Sequence, residues 1–440
     1  MAGERCKKLP HHWVHDPGGR RKPRGIPSLK AVAVDLGASS ARIALGTIEG
    51  GTVTHQTVEQ IEHVAVGRNW DLPLLSALCR RAWELAHQEG ASLGIDSWGV
   101  DVGILLEDGE VLGPVCYRDS SHGVEHVRLA ERHAELFAWT GVAAQPFNTV
   151  FQLAARARED PSLPERAEWL LLPDLLAHWL GAPKNFEATI ASTTQLVGLD
   201  GNWSTDAFEV CGWPVPALQP RLGGVDDAGG VPLVRVAGHD TASAVRGLGP
   251  FGRDEAFVNL GTWTLVGMVV PEPIVSAEAL RQGWTNELDA SGKTRLLKNV
   301  PGFYIANRIH AELFPDWELS PWLDSGHKAP VFDVHDLRLF NPESMVQAVT
   351  EVLGRAPNSP EEWAGSLVAS HAAAVAAALA ELGTLVGTEV SGMVVGGGGS
   401  RCRPLLDQLS RAHRVRRGAD EATVLGNLVA QFVARGAEHG

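Results

Sequence analysis

Two stretches far apart in the chain repeat one pattern, and that repeat restricts the possible folds more than any other feature. Residues 31–46 read as an apolar strand, then Asp35, Leu36 and Gly37, then small residues from Ala38 to Ala41, then Arg42 and a second apolar strand. Residues 256–268 repeat it as an apolar strand, Asn259, Leu260, Gly261, Thr262 and another apolar strand. Short apolar runs on either side of a glycine turn predict β-hairpins. An internal echo of this kind predicts two halves of related build. Either hairpin alone would be an ordinary turn, but the pair points to phosphate-facing turns. Glycine lets the backbone approach a ligand closely, successive N–H groups make an anion nest, and hydroxyls add donors. The copies differ where it matters, with Asp35 in the first matched by Asn259 in the second. A carboxylate holds hydrated Mg2+ and an amide does so poorly, so the first hairpin is expected at the metal–phosphate end.

The 440 residues are too many for one ordinary core and predict two domains. Helical periodicity covers 71–89, 124–138, 149–159 and 168–180, an alanine-rich stretch at 361–387, a helix from Pro404, and a final helix starting at 421–427. Residues 93–106 read as strand, polar turn and strand, with 107–110 closing a hairpin. Residues 223–230 look like a loop, 231–236 a short strand, and 392–395 a strand running into the glycine turn 396–399. Strands alternating with helices in both halves predict an α/β architecture. The boundary falls in the glycine- and proline-bearing stretch 245–254. That leaves a basic, disordered N-terminal tail at 1–29, a first domain at 30–247 and a second at 248–440.

Charge and cysteine usage exclude several function classes. The formal net charge is −14, and residues 1–30 hold +6 of it, so the rest carries −20. Such an acidic body repels a nucleic-acid backbone, and no nucleic-acid partner is expected. The five cysteines are scattered without zinc spacing, which predicts reduced thiols in a cytoplasmic protein. No unbroken apolar run approaches the ~20 residues of a membrane span, so no membrane partner is expected. Residues 291–294 mimic the end of a Walker A loop, but Glu287 stands where that motif needs glycine. The GxGxxG string at 247–252 contains Pro250 with no helix pattern after it, and Arg401 stands at the last glycine position of the 396–401 turn. Neither supports a Rossmann dinucleotide site.

Asp240 follows the short strand 231–236, sits between His239 and Thr241, and opens an Ala/Ser-rich helix. A lone carboxylate there is often only a helix cap. Phosphoryl transfer, however, asks for a base near the acceptor hydroxyl, a metal, and donors around the phosphates. Asp240 suits the first role, Asp35 the second, and the glycine turns the third.

Several segments resemble, in order, those of the rhamnulokinases within the FGGY carbohydrate kinases, over about residues 30–435. They include 34–40 (VDLGASS), 95–101 (IDSWGVD), 117–120 (YRDS), 146–153 (PFNTVFQL), 172–174 (LPD), 191–196 (ASTTQL), 238–245 (GHDTASAV), 260–263 (LGTW), 285–287 (TNE), 297–300 (LKNV) and 395–398 (VGGG). The resemblance implies two ribonuclease H-like lobes of the actin/hexokinase-type ATPase kind with a catalytic cleft between them. It implies transfer of phosphate from MgATP to a sugar, in the rhamnulokinases the 1-hydroxyl of L-rhamnulose. By this likeness Asp240 is the catalytic base and Asp35 orders Mg2+ through water. Ala38, Ser39, Ser40, Ala41 and Arg42 form the first ATP-phosphate segment. Gly261, Thr262, Asn307, Gly397 and Gly398 fall where nucleotide contacts occur. Gly99, His239, Thr241 and Asn299 match sugar contacts, and Trp98 is either a sugar platform or a core aromatic. Two other readings stay open: a kinase for another ketose or polyol such as fuculose or xylulose, and a catalytically silent sugar-binding protein on the same fold.

Overall fold

The computed structural model describes residues 4–5 and 29–436. The first predicted hairpin is present: β1 (Leu29–Leu36) turns at Gly37, whose N–H donates to the Ser40 carbonyl at 2.9 Å, into β2 (Ser40–Glu49), and β3 (Thr52–Glu62) continues the antiparallel meander. On the other side of β1, β4 (Ser92–Ser97) and β5 (Val231–Val234) add in parallel, giving the order β3–β2–β1–β4–β5. β1 is a mostly apolar run buried from Ala31 to Leu36, and all six residues of β4 are buried, because central strands are covered on both faces. The stretch 223–230, expected as a loop, contains the edge strand Val225–Ala228 instead. Gly229 and Gly230 both take positive φ, 62° and 90°, and close a two-residue hairpin onto β5. At the opposite edge Glu4 and Arg5 pair with His55 and Thr54 of β3, so the tail expected to be disordered supplies two paired residues. An open strand edge offers the unpaired N–H and C=O groups that make this possible. The remainder of the tail expected at 1–29, up to residue 28, lies outside the described residues.

Helix α1 (Leu72–Glu89) spans the predicted 71–89 almost residue for residue, because its signals are local. Asp71 caps it by accepting from the Leu74 N–H, Pro73 sits in its first turn, and Gly90 ends it at φ 60°. Leu72, Leu75, Leu78, Cys79, Ala82 and Ala86 form one buried stripe in the main core. Two helix expectations fail. The stretch 124–138 is broken into Ser120–Arg128 and His133–Thr140 by a 3-10 turn at Ala130–Arg132. In 168–180 the first part is the strand Ala167–Leu171, paired with Val102–Leu106, and the helix is only Leu172–Trp179. Glu-Trp-Leu-Leu is a short apolar run that fits either state by periodicity, and the open edge of Val102–Leu106 decides it. Helix α2 (Asp240–Leu248) follows β5.

Two compact units make up the chain, the first residues up to Gly247, Pro271–Thr294 and the segment from Thr423, the second Leu248–Val270 and Arg295–Ala422. In the second unit β6 (Glu255–Leu260) and β7 (Trp263–Val270) form the second predicted hairpin. With β8 (Thr294–Pro301), β9 (Gly392–Gly396) and β10 (Arg414–Arg417) they run in the order β8–β7–β6–β9–β10, the same order as in the first unit. The sequence echo is thus an echo of topology. Helices α3 (Phe303–Leu313) and α4 (Pro360–Val386) belong to this unit. Among the described residues α4 alone is long and apolar enough to cross a membrane, but 67% of its most apolar window is buried in the protein, as in a core helix.

The single continuous segment 248–440 expected for the second domain is interrupted once, by Pro271–Thr294, and stops at Ala422. The final helix α5 (Ala422–Ala434) packs in the first unit, where Val424, Leu428 and Phe432 meet Ala31, Ala33, Ala44, Ile48 and Val53. The small residues of β1, β2 and β4 admit it: a Cβ on Gly46 in β2 would lie 2.6 Å from the Leu428 side chain, and one on Gly94 in β4 2.6 Å from Asn427 Oδ1. Burying such side chains stabilises by roughly 1.5–3 kcal/mol each. Pro271–Thr294 is stitched to the same unit by hydrogen bonds from the Asn286 N–H to the Gly141 carbonyl, 2.9 Å, and from the Leu288 N–H to Ser192 Oγ, 2.9 Å.

Candidate active site

Three carboxylates gather at one end of the first unit's sheet. The parallel register of β1 and β4 sets Asp35 opposite Asp96 at the carboxyl ends of both strands. One residue further, Ser97 bridges to His239, and its N–H donates to the Gly238 carbonyl at 2.9 Å. Asp240 therefore opens α2 beside the other two. In open α/β sheets ligands bind outside the carboxyl ends of the parallel strands, which is where these groups stand. Across the hairpin Arg42 is the register partner of Asp35, and its Nε lies 3.2 Å from Asp35 Oδ2. Of the neighbouring turn, Ser39 is exposed, Ala38 and Ser40 are half-buried, and Ala41 is fully buried. Asp96 is wholly enclosed, and burial lifts its carboxyl well above the ordinary range. The charges of Asp35 and Asp240 lift it further, while hydrogen bonds from Asn427 and Ser243 act against them. Asn427 Nδ2 donates to Asp96 Oδ2 at 2.7 Å, so α5 braces the acidic cluster from beneath.

The loop that carries Asp240 is held by its backbone. The Gly238 N–H donates to Glu187 Oε2 at 2.8 Å, and the His239 N–H reaches Thr189 Oγ1 at 3.2 Å. Glu187 also accepts from the N–H and hydroxyl of Thr189, and burial pushes its carboxyl up to about 7. The Asp240 side chain remains 26% exposed. Its Oδ1 accepts from Thr241 Oγ1 at 3.0 Å and lies 3.5 Å from His239 Nε2. The other ring nitrogen, Nδ1, is 3.2 Å from Glu287 Oε2.

Gly99 and Trp98 divide in their roles. Gly99 is half-buried and pressed on Thr193, where an added Cβ would come within 3.0 Å of Oγ1. Trp98 is 5% exposed, and its indole N–H donates to Asp101 Oδ2 at 2.8 Å. Trp70 donates to the same oxygen and packs 4.5 Å from Trp98 between ring centres. The enclosure of Trp98 and the use of its one donor on Asp101 are what the core-aromatic alternative expects. Enclosure pushes Asp101 up to about 6 despite these donors.

In the second unit the expected nucleotide residues cluster in the same way. Asn259 and Gly396 are register partners on β6 and β9, so the turns Gly261–Thr262 and Gly397–Gly398 leave the sheet side by side. Gly397 has φ 78°, and a Cβ there would lie 2.6 Å from the Leu260 carbonyl oxygen, so only glycine fits. The Tyr304 N–H donates to the Thr262 carbonyl at 2.8 Å, bringing in the start of α3, on which Asn307 is exposed. Asn299 is exposed near the end of β8.

Residues 256–435 match the C-terminal domain of the FGGY family of carbohydrate kinases. Over 438 residues the chain is 33% identical to the rhamnulokinase of Yersinia pestis (strain Pestoides F), covering 92% of this chain and 90% of that one. The chain belongs to the FGGY family of carbohydrate kinases. The rhamnulokinase of Enterococcus faecalis is 32% identical over 92% of this chain and 89% of its own. Among solved structures, a ligand-bound xylulose kinase from Lactobacillus acidophilus and the glycerol kinase of Plasmodium falciparum with ADP each superpose with a TM-score of 0.74. Each is 14% identical and matches 93% of this chain and 90% of its own length, a likeness of fold.

As an FGGY kinase, the chain is a sugar phosphotransferase with ATP and a small-molecule sugar as substrates. The implied two-lobed fold is present as two units of like strand order. Sequence reasoning assigned no part to Asp96, Glu187 or Glu287. For Asp96 a signal existed, since it holds in 92–97 the place that Asp35 holds in 29–36. Glu187 and Glu287 reach the site only through packing of distant segments.

Proposed function

We propose that this FGGY kinase transfers the γ-phosphate of MgATP to the 1-hydroxyl of L-rhamnulose. The observation that carries the reaction is the gathering of Asp35, Asp96 and Asp240 at the carboxyl end of one sheet. The sugar rests on the near full-length likeness to proteins named rhamnulokinase. Asp240 accepts the proton of the sugar hydroxyl as that oxygen's electron pair forms the bond to the γ-phosphorus. The bond from phosphorus to the β–γ bridging oxygen breaks, and ADP leaves with its electron pair. Such transfer needs little covalent help from protein, so the remaining residues position and stabilise. Ala38, Ser39, Ser40, Ala41 and Arg42 serve the phosphates, Ala41 by its backbone. Gly261, Thr262, Asn307, Gly397 and Gly398 serve the nucleotide. Gly99, His239, Thr241 and Asn299 serve the sugar.

Mg2+ fits the residues present. Asp35 and Asp96 stand opposite each other at the carboxyl ends of β1 and β4, and among the described residues no three His, Cys, Asp or Glu side chains are placed to hold a metal ion by themselves. That suits an ion bound through one or two carboxylates, phosphates and water. Asp35 would hold it through water, and when bound it neutralises charge developing on the phosphates. A cytoplasmic location accords with four buried thiols, Cys79, Cys116, Cys211 and Cys402. The test is MgATP consumption over a panel of ketoses and polyols including L-rhamnulose, fuculose and xylulose. Turnover highest on L-rhamnulose is expected. A clear preference for another sugar would move the assignment within the family, and turnover on none would favour a silent sugar-binding protein.

A further inference from the structure

His239 lies between two carboxylates, one on either ring nitrogen. Nε2 faces Asp240 Oδ1 at 3.5 Å, and Nδ1 faces Glu287 Oε2 at 3.2 Å. All three are sheltered, with side chains 12%, 26% and 11% exposed for His239, Asp240 and Glu287. Glu287 arrives on the strand Thr285–Leu288, whose place is set by bonds independent of the histidine: Asn286 to Gly141 before it and Leu288 to Ser192 after it. The backbone of His239 is pinned by Thr189 and by its bridge to Ser97. Both ends of the His239–Glu287 contact are thus held by the fold.

A carboxylate only accepts, so each ring nitrogen bonds the carboxylate it faces only through a proton of its own, Nδ1–H toward Glu287 and Nε2–H toward Asp240. A histidine's other nitrogen is oriented by the bond the first one makes. We propose that Glu287 is a positioning residue for phosphoryl transfer: it takes the Nδ1–H of His239, turns Nε2 toward Oδ1 of Asp240, and so fixes the rotation of the catalytic carboxylate. Thr241 Oγ1, donating to the same Oδ1 at 3.0 Å, acts in the same sense. Carboxylate–imidazole pairs that orient a reacting side chain occur in unrelated enzymes. This proposal rests on Asp240 being the base, and the experiment separates the two claims.

The experiment measures kcat and KM for MgATP and for the preferred sugar in wild type, Glu287→Gln, Glu287→Asp, Asp240→Asn and the double variant Glu287→Gln/Asp240→Asn, with a melting curve for each. Glu287→Gln should lower kcat by ~10–100-fold, the usual range for losing an orienting partner behind a functional histidine, with KM for MgATP changed less than about twofold. Glu287→Asp, which keeps the charge, should recover part of kcat. In the Asp240→Asn background Glu287→Gln should cost nothing further, because groups acting as one unit are non-additive. Unchanged kcat in Glu287→Gln, or the same fold-loss with and without Asp240, would overturn the positioning role. Near wild-type turnover of Asp240→Asn would instead overturn the base. Should Glu287→Gln not fold, Glu287→Asp carries the test in both backgrounds: a kcat loss seen only with Asp240 present supports the role, and any other result ends it.

Discussion

On the proposed mechanism, Asp240 is where the chemistry is most exposed to a single change. Its carboxylate begins α2, where a helix cap would also stand, yet its Oδ1 is met by Thr241 and approached by His239. Asp240→Asn keeps shape and hydrogen-bonding capacity while removing the proton acceptor. Turnover should fall ~10²–10⁴-fold, as for loss of a positioned base, with the melting midpoint within a few degrees of wild type. Coupled measurement of ADP release and a thermal melt on the same preparation check this. At this scale much was legible from sequence. Asp35, Asp240 and the glycine turns stand in local patterns whose residue types fit phosphate and metal chemistry. Trp98 was open between two roles because exposure is no local property. Burial against Trp70 and Asp101 favours the core aromatic.

Elements obey local rules where caps and periodicity agree and depart from them where a neighbour competes. Helix α1 carries its cap, its stripe and its terminal glycine in its own sequence, and it formed as expected. The strand Ala167–Leu171 carries no such signals and follows the edge it meets. Helix α5 is the element whose placement matters most to the site. Its Leu428 is fully buried against the glycine gap in β2, and the adjacent Asn427 holds Asp96. Leu428→Ala should destabilise by about 2–5 kcal/mol, the range for emptying a well-packed core position. Denaturant unfolding reads that loss. A loss below about 1 kcal/mol would mean that α5 does not seat on β1 and β2 as described.

Across the molecule, buried carboxyls set the pH response. Glu187 is pushed up to about 7, and Asp101 and Asp174 to about 6, all through burial. A carboxyl with a raised pKa binds its proton more tightly in the folded state than in the unfolded chain. Its contribution to stability is full below the unfolded value of about 4 and is lost as pH rises toward 6–7. Below pH ~4 the opposite group takes over: Asp336 and Glu362 are held down to about 2 by Arg338 and Arg355, and their contribution disappears as pH falls. Stability should therefore peak on the acid side of neutrality. Glu187→Gln, which cannot ionise and keeps an oxygen for the Thr189 and Gly238 donors, should flatten the decline between pH 4.5 and 7 by up to about 1.4 kcal/mol per pH unit. Melting curves across that range test it, and an unchanged slope would place the titration elsewhere.

The amino-acid order alone determined the two hairpins, their glycine turns, the capped helices and the contrast of Asp35 with Asn259. Each depends on residues within a few positions of one another, where backbone preference and apolar spacing act directly. Only the tertiary structure decided that α5 and Pro271–Thr294 join the first unit, that Trp98 is enclosed, and that Glu287 meets His239. Those outcomes rest on small residues opening gaps for distant segments and on hydrogen bonds between strands far apart in the chain, which local spacing does not encode.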